Sequence, residues 1–321
     1  MDKKKLAKQM GVIALVIVLF AGLDIGIYRL FIKRVISHHS PGMQKMSVEV
    51  GNYVPFTGSE NVFSVKDADK LEGDIPVIDG AAALLPVYAG FVESIYPESS
   101  VIYNGETYDA ASAMHYTNTR GAYKDIVDGN ADIIICAAPS DEQLQYAKDN
   151  GVELELVPVG SDAFVFIVNA GNPVDNITID QIRGIYSGKI TNWKELGGKN
   201  IPIAAMRRNK NSGSQTALEK IMGDIPIKPD YTALFGSPIG FSFRYYVTGM
   251  LGEGGVKILT INGIEPTPET IADGSYPVAG NIYAVYRKGE TNENVKKAID
   301  FMLSPQGQKI VEQSGYIPLS Q

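Results

Sequence analysis

The sequence predicts an α/β fold. Three observations lead there. Short apolar runs begin at Ile75 and recur at residues 76–78, 131–136, 154–159, 163–169, 201–206 and 282–286. Helical patterns separate them: Leu84, Tyr88, Phe91 and Ile95 recur at helical spacing, as do Ala122, Ile126 and the neighbouring Tyr123. Start and stop signals punctuate the helices, with Ser140-x-x-Gln143 and Thr178-x-x-Gln181 as capping boxes and Gly129 and Gly151 as stops. Strands alternating with helices argue for largely parallel sheets. A length of 321 residues suits two domains with appendages, and 45% hydrophobic with 20% charged residues is enough to bury ordinary cores.

The N-terminus stands outside this pattern. Lys3, Lys4, Lys5 and Lys8 precede an apolar stretch at 12–23, which continues past Asp24 and Arg29 to Ile32, with Lys33 and Arg34 beyond. Residues 1–34 are therefore expected to form cytoplasmic lysines and a membrane anchor, with the bulk of the chain outside the cell. A cleaved signal releasing a secreted or periplasmic protein is the alternative. Residues 35–74 are polar, Gly- and Pro-punctuated and weakly periodic, and read as an extracellular tether.

Without the first 37 residues the formal balance falls to 22 basic against 34 acidic residues, or −12. An acidic ectodomain argues against nucleic acid as a partner, and it means that a bound anion must be held by local donors. The single cysteine, Cys136, excludes an intramolecular disulfide and sits in an apolar run as a small buried residue. Only His38, His39 and His115 are available as imidazoles, and no His/Cys/Asp cluster has metal spacing. No catalytic residue, metal site or cofactor is assigned. Tyr245, Tyr246, Tyr276, Tyr283 and Tyr286 have apolar, periodic neighbours and read as core or hinge packing.

The densest chemical signal is residues 206–215. An apolar strand ends in arginine, a polar turn follows, and Ser212 and Ser214 flank Gly213 where a helix begins. A helix N-terminus offers unpaired N–H groups and about half a positive charge. Gly213 admits a ligand to the backbone, the serines add hydroxyls, and Arg208 supplies a charged fork. The competing reading is a plain capping box of Ser212 with Gln215. Two more helix starts have similar chemistry. One is the stretch 79–83 leading into a helix near Leu84; the other is Asn118-Thr119-Arg120-Gly121, where Thr119 is expected to cap the helix through Ile126. Three such starts permit convergence on one ligand between two lobes.

Five segments, "DGAAALLPVYAGFVESIYP", "NTRGAYKDIVDGNADIIICAAPSDEQ", "GSDAFVFIVNAGNPVDNITIDQIRGIYSGKITNWKELGG", "RRNKNSGSQTALEKIM" and "MLSPQGQKIVEQSGYIPL", carry a likeness to a known family. The chain resembles the phosphate-binding solute receptors of ABC transporters, in the type II periplasmic-binding-protein superfamily, over nearly everything from Ile75 onward. The resemblance implies a two-lobed flytrap, with lobe I at 75–160 and 282–321 and lobe II at 161–281. It implies an oxyanion, phosphate in that family, held by backbone N–H groups near Ala82, Ala83 and Leu84, by Thr119, by Arg208, and by Ser212, Gly213 and Ser214. It implies an ABC permease as partner and no enzymatic activity. A membrane-tethered anion sensor or scaffold without transport coupling is the alternative.

Two positions depart from the family. Ala82 lacks the hydroxyl common there. Ala137 or Ala138 stands where the family has a carboxylate that accepts a hydrogen bond from hydrogen phosphate. Weakly discriminated phosphate, another anion and a lapsed site all remain open.

Overall fold

The computed structural model describes residues 48–228, 236–250 and 255–319. The expected anchor at 1–34 and the first part of the tether lie outside the described residues. Among the described residues no helix is long and apolar enough to cross a membrane.

The expected apolar runs form strands, but Asn176–Ile177, Ser237–Phe243, Val256–Ile258 and Thr260–Ile261 are strands outside them, and the last three follow one another with no described α-helix between. Strands are β1 (Ile78–Gly80), β2 (Ile133–Ala137), β3 (Leu154–Asn169), β4 (Asn176–Ile177), β5 (Ile203–Ala205), β6 (Ser237–Phe243), β7 (Val256–Ile258), β8 (Thr260–Ile261) and β9 (Ala279–Arg287). Helices are α1 (Leu85–Ile95), α2 (Asn118–Asp128), α3 (Asp141–Asp149), α4 (Ile179–Tyr186), α5 (Gly213–Met222), α6 (Pro268–Ala272), α7 (Glu293–Leu303) and α8 (Pro305–Gln313). Both predicted capping boxes are present: Ser140 and Gln143 exchange hydrogen bonds at α3, and Thr178 and Gln181 do so at α4. Gly129 ends α2 at φ 82°, in the left-handed region that favours glycine.

The sheet is mixed, which corrects the expectation of largely parallel sheets. Its order is β1-β2-β9-β3-β6-β5, with β7 also paired to β3. The edges are parallel (β1–β2 and β5–β6), but the centre, β2–β9–β3–β6, is antiparallel. The reason lies in residues 154–169. Two predicted runs form one strand of 16 residues, because Gly160-Ser161-Asp162 crosses from lobe to lobe as strand with an irregularity between Pro158 and Gly160. β9 returns alongside it in the opposite direction.

Two buried clusters flank this crossing. One draws on residues 53–159 and 282–316, the other on 163–276 with Ile317. Residues 48–74 belong to the first, which corrects the tether expectation for this stretch. Tyr53, Val54, Val62 and Leu71 are buried in that core. The segment wraps α1: Phe56 N–H donates to Glu93 (2.9 Å), Val65 N–H to Ser94 Oγ (3.0 Å) and Leu71 N–H to the Ile95 carbonyl (2.7 Å). A Cβ on Gly90 would sit 2.3 Å from the Phe63 carbonyl, so the segment lies directly on the helix. Every residue of α1 except Glu93 is consequently buried.

At the crossing, Asp162 is buried. It accepts from Ala163 N–H (2.9 Å) and Tyr245 N–H (3.2 Å) and pairs with Arg244 Nε at 3.3 Å. Arg244 Nη2 also donates to the Gly315 carbonyl at 2.6 Å, and the Tyr245 and Tyr316 rings lie 4.7 Å apart. Burial pushes the Asp162 carboxyl up to about 6, against the pull of Arg244 and the N–H donors. The folded chain therefore holds a proton that the unfolded chain, with a carboxyl near 3.9, releases. Between about pH 4 and 6 the native state binds more protons, so stability falls as pH rises. The gap is worth about 3 kcal/mol. Denaturation midpoints at pH 4.5 and pH 7 should show this loss, and Asp162→Asn should flatten it.

Candidate functional site

Two of the predicted helix starts, those at Thr119 and Gly213, come together where the two clusters meet. Gly213 opens α5, with Ser212 as its N-cap accepting from Gln215 N–H at 3.2 Å. The predicted capping box is only half formed. Gln215 turns its side-chain oxygen to Arg208 N–H (3.0 Å) instead of to Ser212, which locks the exit of β5 to the start of α5. Arg208 and the N–H groups at Gly213 and Ser214 are thus carried on one rigid corner.

Thr119 does not cap its helix. α2 begins one residue earlier, at Asn118 with φ 64°, so Thr119 lies in the first turn and is buried. Its hydroxyl faces the other lobe instead: a Cβ built on Gly213 would lie 3.4 Å from Thr119 Oγ1, 3.5 Å from Phe243 Cε2 and 3.7 Å from Ala137 Cβ. The starts of α2 and α5 therefore oppose one another across the cleft, with the end of β2 beside them.

Ala82 and Ala83 open a 3₁₀ turn, Ala82–Leu84, that runs into α1. As the first residues of that turn they have N–H groups without a helical acceptor. Leu84 differs, since its N–H donates to the Ala81 carbonyl at 2.9 Å. The Tyr316 hydroxyl donates to the Ala83 carbonyl and pins the turn to the C-terminal segment. Ala82 and Ala83 are linked to α2 through Asp79. This carboxylate accepts from Gly80 N–H (2.7 Å), from Thr117 N–H (2.9 Å) and from the Thr117 hydroxyl. Burial pushes its carboxyl up, while these donors favour the ionised form. Sequence reasoning passed over Asp79 as a positioning residue, because its partner is 38 positions away.

Arg208 is half-buried, and that desolvation pulls its pKa down; the adjacent Tyr246 acts in the opposite sense. Among the described residues no carboxylate pairs with Arg208. A guanidinium in that state is well suited to an incoming anion. Tyr116 is pushed up to about 12, chiefly by burial, with Tyr246 and Asp79 acting in the same sense. Ala137 presents only a methyl toward Gly213, and its carbonyl accepts from the Tyr123 hydroxyl at 2.7 Å.

A second set of contacts crosses the cleft. Asp141 and Glu142 are first-turn acids of α3, where they complement the helix dipole. Glu142 also reaches Lys210 (2.7 Å) and Asn211 Nδ2 (3.1 Å). Ser140 Oγ donates to Asn211 Oδ1 (3.0 Å), and Gln143 Nε2 to the Asn211 carbonyl (3.3 Å). Asn211 sits at φ 64°, a conformation asparagine tolerates well. These bonds join lobe to lobe and favour the closed arrangement. Asn211→Ala should weaken apparent ligand affinity roughly threefold to tenfold by lowering the closed population. Small-angle scattering should show a larger radius of gyration in the variant. The Lys210–Glu142 part is exposed and should fade at high salt.

A family model described as a PBP superfamily domain matches residues 76–306. The chain belongs to the PBP superfamily. The phosphate-binding protein PstS of Borreliella burgdorferi is 30% identical over 176 residues, covering 49% of this chain and 63% of that protein, just under two thirds of its length. The PstS of Bacillus subtilis is 26% identical over 286 residues, covering 81% and 85%. A crystal structure from Clostridium perfringens, described as a phosphate ABC transporter substrate-binding protein with bound phosphate, is 27% identical with a TM-score of 0.58. It covers 76% of this chain and 99% of that one. An ABC-type phosphate transport receptor from Vibrio cholerae shares the fold, with a TM-score of 0.54 at 21% identity over 75% of this chain and 99% of that one. The resemblance read from the sequence is borne out, and with it the two-lobed α/β architecture.

Proposed function

We propose that this chain is the extracytoplasmic solute-binding component of an ABC transporter, and that it takes phosphate or a similar small oxyanion between its lobes. The observation that carries the reading is the facing pair of helix starts, with the Thr119 hydroxyl opposite Gly213 and Arg208 tied to the same corner through Gln215. N–H groups of Ala82, Ala83, Gly213 and Ser214, hydroxyls of Thr119, Ser212 and Ser214, and the Arg208 guanidinium would hold the anion. Leu84 contributes packing in this reading, since its N–H is committed to Ala81. The names of the relatives, phosphate-binding proteins and a phosphate-bound receptor, favour phosphate as the solute.

The lobe boundaries at 75–160 with 282–321 and at 161–281 are supported by the break between the two buried clusters, and residues 48–74 go with lobe I. The lysine-flanked apolar run supports a membrane anchor at 1–34 with the lobes outside, and the description of the Clostridium perfringens relative favours an ABC permease as docking partner. Calorimetric titration of the purified full-length chain with phosphate, sulfate and other small anions tests the reading. Saturable one-site binding is expected. Failure to bind any of them would sink it and favour a scaffold.

A further inference from the structure

A cavity of about 590 Å³ adjoins the proposed anion cradle and shares Gly213 and Ala137 with it. That volume falls in the range that accommodates a small organic ligand. One wall is α5, through Thr216 and Ala217; the floor is aromatic, with Phe164 and Phe243 rings 6.0 Å apart. Arg183 and Lys220 also line it. Arg183 is braced by the Ile221 carbonyl and Asp180, whereas Lys220 is exposed.

Two details bear on the occupant. The Thr216 side chain is 5% exposed, and its hydroxyl oxygen is buried without a hydrogen-bond partner. Buried polar atoms are rarely left so, and an unmade bond is costly, so a ligand group that pairs with this hydroxyl would be favoured. Ala137 and Ala138 line the cavity, the former beside Gly213, and their side chains offer no acceptor. A protonated phosphate oxygen directed at these two side chains would find no acceptor on them. An ester oxygen carries carbon in place of hydrogen and needs no acceptor.

We propose that the chain binds phosphate monoesters, with the phosphoryl group at the starts of α2 and α5 and the organic group passing the two alanines into the cavity. The proposal rests on the anion reading above. The aromatic floor suits a flat apolar group, and Arg183 and Lys220 supply a positive rim.

The test is calorimetric titration of the full-length chain with inorganic phosphate and with phenyl phosphate. Phenyl phosphate is expected to bind at least tenfold more tightly. Ala217→Trp, which fills the cavity from α5, should abolish that advantage while leaving inorganic phosphate within about twofold. Ala217→Leu provides a graded version that perturbs the helix less. Inorganic phosphate binding as well as or better than the ester would overturn this proposal and leave the anion reading standing. Survival of the ester's advantage in both filled variants would overturn it equally. Binding of neither ligand would overturn the anion reading and this inference together.

Discussion

Arg208→Ala should lower affinity for phosphate about a hundredfold. The side chain is half-buried at the corner where β5 leads into α5, and its backbone N–H is tied to Gln215. Burial already disfavours its charged form, and no carboxylate among the described residues offsets that cost. An anion gains charge-assisted bonds worth about 1.5–3 kcal/mol each, so even one good bond to the guanidinium places the loss between roughly tenfold and a hundredfold, and a bidentate pair carries it beyond. Lysine would keep the charge and lose the fork, so Arg208→Lys should recover only part of the affinity. The neighbouring Arg207 is exposed, and Arg207→Ala should stay within about twofold. Calorimetry on the three variants checks the ordering. Equal affinities for the wild type and Arg208→Ala would remove the arginine from the site.

The second large effect concerns discrimination. The wild type should hold phosphate and sulfate within about tenfold of each other, and Ala137→Asp should widen that ratio by about tenfold to a hundredfold in favour of phosphate. Sulfate is fully ionised near neutral pH, so a carboxylate placed beside it repels; hydrogen phosphate can place its proton between the two oxygens and make a charge-assisted bond. The Ala137 methyl lies 3.7 Å from the Cβ position of Gly213, at the mouth of α5, where such a carboxylate would face the anion. Asp79 cannot take that part, because its carboxylate is occupied by Gly80 and Thr117. Competition titrations at pH 7 measure the ratio. An unchanged ratio in Ala137→Asp would show that this position does not face the ligand.

Much of the site was legible in sequence because its chemistry is local. Ser212, Gly213 and Ser214 announce a helix start by type and spacing, and Arg208 precedes it by a fixed few residues. The caps at Ser140 and Thr178 formed as expected, since each needs only a partner three residues away. Thr119 has a different local role from the expected cap: its helix starts at Asn118, and its hydroxyl lies opposite Gly213. Gln215 was assigned to Ser212 and turned to Arg208, a choice that depends on where β5 ends. The segment at 48–74 was missed because its apolar residues are sparse and aperiodic. The signal lay instead in α1, whose residues are apolar nearly all round and so require a cover on the outer face.

Taken alone, the sequence determined the strands at the apolar runs and the helices with caps and stops, the three candidate helix starts, the cationic Arg208 and the alanines at 137 and 138, but not the strand at Ser237–Phe243. Each follows from short-range periodicity, capping or residue type. Tertiary structure alone decided that residues 154–169 run as one strand between the lobes, that Asp79 ties β1 to α2, that Asn211 bridges the cleft, and that a cavity opens beyond Ala137. Those outcomes join residues tens of positions apart. They depend on which surfaces meet when the chain packs, and no local pattern encodes that.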